Sequence, residues 1–490
     1  MRIPCLLTAT KPQQVNKVAG NNCHGSRRAA RARSRILVRQ RGQALIFGLF
    51  TLAGGLIALF FLFNTGQLTA EKTKLVNTAD AVAYSAGVMH ARALNFDAYT
   101  NRALMANEVM IAQAVSMASW TAYVSEHTQS AQTLMNCRNQ FAVPVGLLLV
   151  TYVPACYALG LPPGASAAAM LGQSVPAAAQ AVVTAAEMAK AALQAGQVNM
   201  AADLFLARKS LMQEVADANY ANDGVVQVDN IPLTDDFGPL GTNFITRYAD
   251  NDRARFKEAT VKAANLDQFV QQRSWTSANG MPCILGNKAE FRRRGATELI
   301  GFDEWRAMDT ASLHTWTFSI HLFSTSCDED ERPLGAGSQG AGNSRSGNDN
   351  GFGGSKDDNP VASAYASSTD WKYSGLPKFY DLRQNALQAT EGAPPLLRFA
   401  IRLTRTKGET RTSEGRSGVK PSGRLAKFDS NLASDVLAAV STSEVFFQRP
   451  VPRSDGRAEL ANLFDPFWQV HLVSTSNADI AKAIALGGAR

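Results

Sequence analysis

The sequence predicts a single transmembrane helix, then a helical stalk or hairpin region, then a β-rich α+β exported domain. Three observations carry that prediction. A basic leader runs into an uncharged apolar stretch, a long proline-free stretch has helical periodicity, and alternating patterns take over after about residue 221. At 490 residues the chain has room for a large core and more than one domain.

Residues 1–43 hold Arg2, Lys11, Lys17, Arg27, Arg28, Arg31, Arg33, Arg35, Arg39 and Arg41, with no Asp or Glu. The whole chain carries a formal charge of +8, so everything after the leader sums to −2. The basic excess is local, and the body offers no electrostatic footprint for a polyphosphate. Nucleic acid is therefore not an expected partner. Residues 44–63 (ALIFGLFTLAGGLIALFFLF) then run without a charge. About 20 residues at about 1.5 Å each cover the roughly 30 Å hydrocarbon core. A cleaved signal would be shorter and end in a small-x-small site, whereas this stretch ends in Asn64-Thr65-Gly66-Gln67, so a retained span is expected. Arg27, Arg28, Arg31, Arg33, Arg35, Arg39 and Arg41 precede it, while Glu71, Lys72, Lys74 and Asp80 beyond it mix signs. By the positive-inside rule those arginines set the topology, with the leader cytoplasmic, the span in membrane lipid and the bulk exported.

No proline lies between Pro12 and Pro144, so helix can continue beyond the span. Leu75, Ala79, Val82, Ala86, Met89, Ala93 and Phe96 begin a stripe in steps of four and three that continues through Thr100, Ala103, Asn107, Met110, Ala114 and Met117. It is narrow and rich in small residues, as helix-on-helix packing requires. Two partners are open. One is a second helix of the same chain, the run from Val175 to about Asn219 with Ser174 as its cap; the other is a second copy, giving a homo-oligomer. The hairpin is the simpler reading. Between the two helices, residues 141–161 are apolar enough to suggest another span, but Pro144 and Pro154 favour a membrane-hugging or helix-packed loop. Residues 64–220 thus form the helical region.

Residues 221–490 form the β-rich part. Strands are predicted at 225–228, 313–322, 397–403, 436–447 and 468–474, and helices at 250–272 and 479–486. Residues 328–360 and 405–424, rich in Gly, Ser, Asn and Thr, read as mobile loops. Of the cysteines, Cys5 and Cys23 are in the leader, and Cys137, Cys156, Cys283 and Cys327 are exported, where disulfides persist. Four cysteines allow three pairings; the local one joins Cys137 to Cys156 and Cys283 to Cys327.

No catalytic constellation emerges. CxxC, HExxH, GxSxG and GxxxxGK[ST] patterns are absent, and His314 and His321, seven apart in a strand, face opposite sides. Cys283 has no basic neighbour to activate it toward His314, and Asp328-Glu329-Asp330-Glu331 reads as a solvated run. The sequence therefore predicts a non-enzymatic protein with no catalytic, cofactor or metal residues.

Arg41-Gly42-Gln43 before the span, Asn64-Thr65-Gly66-Gln67 after it, Asn77-Thr78-Ala79-Asp80-Ala81, and Ala91-Arg92-Ala93-Leu94-Asn95-Phe96 through Asn101-Arg102 resemble the TadG-like proteins of the tight-adherence (Flp) pilus assembly system. Tyr373-Ser374-Gly375-Leu376-Pro377, Phe379-Tyr380-Asp381-Leu382 and Phe464-Asp465-Pro466-Phe467-Trp468-Gln469 also look like that family. The resemblance is dense over about residues 39–118 and scattered beyond. It implies a bacterial inner-membrane protein with a pilin-like stalk and a periplasmic bulk, working with pilins or other assembly proteins in piliation and cell adhesion. Two family features are missing. No Asp-x-Ser-x-Ser strand end supports a von Willebrand A metal site, and Phe47 stands where a processed prepilin has Glu. The alternative reading is a membrane-anchored extracytoplasmic sensor or binding module.

Overall fold

Within the proline-free stretch, Gln43–Gln129 folds as one 87-residue helix, α1. The computed structural model describes residues 43–130, 162–231, 234–237, 244–285, 288–322, 324–342, 351–383, 395–413, 415–416, 436–457 and 459–488. Two units are compact: Met1–Leu62 and Phe63–Arg490. In the first, the described residues are the start of α1. Its apolar window has a mean hydropathy of 2.5 and none of it is buried; Leu45 and Phe47 are 78% and 72% exposed. Among the described residues α1 is the one helix long and apolar enough to cross a membrane. The seven arginines expected to set the topology lie outside the described residues, as does the 141–161 segment.

In the second unit α1 is a buried spine. A second long helix, α2 (Pro162–Asn219), runs antiparallel to it. The register is read from side chains: Arg208 meets His90, Gln197 meets Thr100 and Asn101, and Lys190 meets Glu108. At the far end a Cβ on Gly172 would touch Ser125 Cβ at 2.6 Å. The helix starts twelve residues before the predicted Ser174 cap and takes Pro176 into its interior, so Ser174 is not a cap. The hairpin between α1 and α2 is thus made within one chain.

The other side of α1 meets two sheets. One has the order β1 (Gln227–Asn230), β9 (Leu396–Thr406), β10 (Val436–Phe447) and β11 (Trp468–Val473), all antiparallel. Leu75, Ala79, Val82 and Ala86 pack there with Phe399, Ile401 and Leu403 of β9 and with Met212 and Ala216 of α2. The other has the order β3 (Trp275–Ala278), β4 (Ala289–Ile300), β5 (Glu304–His321), β6 (Ser324–Gly342) and β7 (Asp370–Trp371), with only β6 and β7 parallel. Leu104, Ile111 and Val115 share a core with Leu299, Trp305 and Ala341 of that sheet. A two-stranded pair, β2 (Ile245–Tyr248) with β8 (Phe379–Leu382), completes the sheets, and α3 (Ala254–Ala264) contributes Phe256 to the same core. A terminal helix, α4 (Asn477–Gly488), closes the chain.

The described parts of two predicted loops are structured instead. Residues 328–342 belong to β6, which pairs with β5 along its whole length. Their glycines serve close approach. A Cβ on Gly337 would lie 2.5 Å from Tyr123 N of α1, and one on Gly335 would lie 2.9 Å from His127 N. Composition alone reads such glycines as flexibility; here they admit a helix backbone. Helical turns follow at Gly351–Asp358 and Pro360–Tyr365, and residues 343–350 lie outside the described residues. In the second segment β9 continues to Thr406, and a 3-10 turn (Lys407–Glu409) leads into buried Thr410, Thr412 and Ser413. Charge pairing orders it in place of apolar burial. Residues 417–424 lie outside the described residues.

Candidate functional site: a polar seam along the first helix

A chain of buried polar contacts follows α1 through the second unit. Near its start, Glu71 is bound by Arg405 at 2.5 Å, and Arg405 is wholly buried over the Tyr220 ring. Lys74 and Arg411 bind opposite oxygens of Asp223, at 2.6 and 2.7 Å. Burial pushes the Asp223 carboxyl up, but hydrogen bonds from Lys74 and Arg411 outweigh it and hold the group below its usual range. A cation–carboxylate cluster of this kind orders a segment that has almost nothing apolar to bury.

Further along, His90 stacks on Phe237 with ring centroids 3.9 Å apart and meets Arg208 at 3.0 Å. Burial, then the Arg208 charge, lowers its pKa well below the usual value, so the ring stays neutral. Asn95 clamps the Trp468 backbone both ways: its Nδ2 donates to the carbonyl at 3.0 Å and its Oδ1 accepts from the N–H at 3.1 Å. Asn101 donates to the carbonyls of Tyr380 and Leu463, at 2.8 and 2.6 Å, and accepts from Gln197 at 2.8 Å. Arg102 pairs with Asp465. Between these sits Asp97, 3% exposed, whose carboxyl is raised to about 8 by burial and then by the nearby Asp381 charge. Asp381 accepts from the Leu382 and Leu463 amides and pairs with Arg255.

At the centre, Glu108 and Lys190 form an ion pair at 2.5 Å with both side chains fully buried. Trp305 Nε1 and Tyr373 Oη donate to the second Glu108 oxygen at 2.9 and 2.6 Å, and Lys190 donates to Gly375 O at 2.9 Å. Toward the end of α1, Ser119 donates to Asp309, which also takes Arg273 and Arg293. Burial would raise the Asp309 pKa, but those arginines hold it low. His127 Nδ1 donates to Leu334 O at 3.1 Å, and burial drives its pKa down to about 4.

The predicted stripe follows the buried face only at first. Leu75, Ala79, Val82 and Ala86 are wholly buried and Ala93 nearly so, while Met89 is half-buried. Phe96 is 39% exposed and lies beside Gly196, and Met110 and Met117 are also exposed. A seven-residue repeat slips about 20° per heptad on a straight helix, so a strict stripe rotates off the packed side. By the distal half the most deeply buried positions are Leu104, Ile111, Val115 and Ala118, one residue later than the stripe, of which Thr100 and Ala114 stay buried. The face from Leu75 to Ala86 is filled by the chain's own α2 and β9.

Cys283 and Cys327 are disulfide-bonded, with Cα atoms 6.2 Å apart, so Cys283 is no free nucleophile. Cys137 and Cys156 lie outside the described residues. The acidic run is half engaged rather than solvated: Glu329 takes His314 Nδ1 at 2.7 Å, and Glu331 accepts from Ser312 at 2.6 Å and from the Val361 amide at 3.0 Å. Among the described residues no group of three His, Cys, Asp or Glu is placed to hold a metal. Sequence reasoning missed Asp97, Glu108, Lys190 and Arg405. The available signal was polar residues on otherwise apolar helix positions, Asp97 and Glu108 above all. The segments of family resemblance from the two ends of the chain meet on this seam, through Asn95 with Trp468, Asn101 with Tyr380 and Arg102 with Asp465.

Fold and seam define an α+β protein built around one long helix. Residues 42–93, on the first part of that helix, match the Tad family, described as "Putative Flp pilus-assembly TadE/G-like". The match supports a TadG-like affiliation and involvement in Flp pilus assembly. No curated protein and no solved structure matches the chain.

Proposed function

We propose that the protein is a non-enzymatic component of tight-adherence (Flp) pilus assembly, anchored in the bacterial inner membrane by residues 44–63. Its bulk lies in the periplasm and works through protein–protein contacts. The observation that carries this reading is the Tad match on a helix with two unlike parts. Its apolar start is exposed, and its remainder is gripped by buried ion pairs and amide clamps. Such a seam favours one placement of the helix, because every shift strands buried charges. The spine then holds its β-rich body as a fixed platform for pilins or other assembly proteins, while the arginine-rich leader sets orientation.

Affinity purification from detergent-solubilised inner membranes, after crosslinking in living cells, tests the reading. Pilins or pilus assembly proteins should be enriched over a strain carrying the tag alone. Recovery of the intact membrane protein with none of them would overturn it.

A further inference from the structure

A cavity of about 200 Å³ opens beside the seam between α1, α2 and β2. Leu94, Met200, Phe205, Phe237 and Phe244 supply apolar and aromatic walls. Asp97 and Asp236 are the only charged side chains among its described lining residues. Asp97 is 3% exposed, and its Oδ1 has no hydrogen-bond partner. An unpaired buried carboxyl costs stability unless a ligand completes it.

We propose that this cavity binds an alkylammonium group, with its aliphatic chain against Leu94, Met200 and Phe205 and its cation on Asp97. Aromatic faces and a carboxyl together suit an ammonium better than a neutral polar group. The surrounding charges agree. Asp381 of β8 adds a negative field and Asp236 lines the mouth; Arg255 is held by Asp381, and Arg208 of α2 is held by Asp235 beside neutral His90. Empty, the Asp97 carboxyl is protonated at neutral pH because its pKa sits at about 8. An arriving cation stabilises the carboxylate, so binding expels a proton. The group is carried by a partner's lysine side chain or by a free amine.

The test is calorimetric titration of the detergent-solubilised full chain with n-butylammonium, and with butyramide as a neutral analogue of similar size. Saturable one-to-one binding is expected, with proton release visible as a dependence on buffer ionisation heat. Asp97→Asn should weaken it by roughly tenfold or more, and Phe205→Ala, on the outer helix, by several-fold with unchanged circular dichroism. Equal affinity for butyramide, unchanged binding in both variants, or no saturable binding would overturn the proposal. Competition by a short lysine-containing peptide assigns the site to a protein partner; amine binding without such competition assigns it to a free amine.

Discussion

Replacing Lys190 with Met leaves Glu108 buried without its cation. The structure sets the scale. Both side chains are fully buried at 2.5 Å, and Lys190 also donates to Gly375 O and lies 4.3 Å from the Tyr373 ring centre. Met keeps most of the aliphatic volume, so the loss is electrostatic rather than a cavity. Removing one partner of a buried pair costs about 3–5 kcal/mol, a factor of roughly a hundred to a few thousand in the folding equilibrium. Trp305 and Tyr373 still donate to the Glu108 carboxyl, which puts the expectation toward the lower end. Adding Glu108→Gln removes the fully buried unpaired acid and keeps an acceptor for both donors, while Glu187, which also binds Lys190 at 2.6 Å, is partly exposed to water, so the double variant should regain about 1–3 kcal/mol. Urea titration of the solubilised full chain, followed by tryptophan fluorescence, measures both. The reasoning fails if the single variant costs under about 1 kcal/mol, or if the double variant is no more stable than the single one.

Further consequences follow from other parts of the seam. Gly337→Val drives a side chain into the α1 backbone at Tyr123 and should cost about 1–3 kcal/mol or more, whereas Gly66→Ala, with open space around it, should be neutral or stabilising by urea titration. Asn95→Ala removes both clamps on Trp468 and should speed hydrogen exchange at the Trp468 amide in mass-spectrometric mapping. Asp97 binds its proton more tightly folded than unfolded, so its stabilising contribution is complete at low pH and is lost as pH rises toward about 8. His127, lowered to about 4, acts in the opposite sense below its ordinary value near 6.5. The Asp97 contribution should therefore be seen as a fall in stability between about pH 6.5 and 8, of about 1.4 kcal/mol per unit, and Asp97→Asn should flatten it.

Elements that repeat a simple period were legible in the sequence. The bounds of β10 match the predicted 436–447 run, and the long helix follows from missing prolines and a sustained stripe. The disulfide between Cys283 and Cys327 was among the three pairings, being the local one. What escaped depends on partners distant in sequence. Gly335 and Gly337 are glycines because His127 and Tyr123, some 200 residues earlier, pass within backbone contact. Arg405 orders a polar segment only because Glu71 and Asp223 are brought to it. The seam itself was half visible: Asn95, Asn101 and Arg102 stood out by resemblance, yet their acceptors at Trp468, Leu463 and Asp465 come from the other end of the chain.

Surface piliation in a clean deletion strain tests the central claim most directly. Electron microscopy of the host bacterium should find no Flp pili in the deletion and normal pili once the full-length gene is restored. Wild-type numbers of pili on the deletion strain would contradict an assembly role.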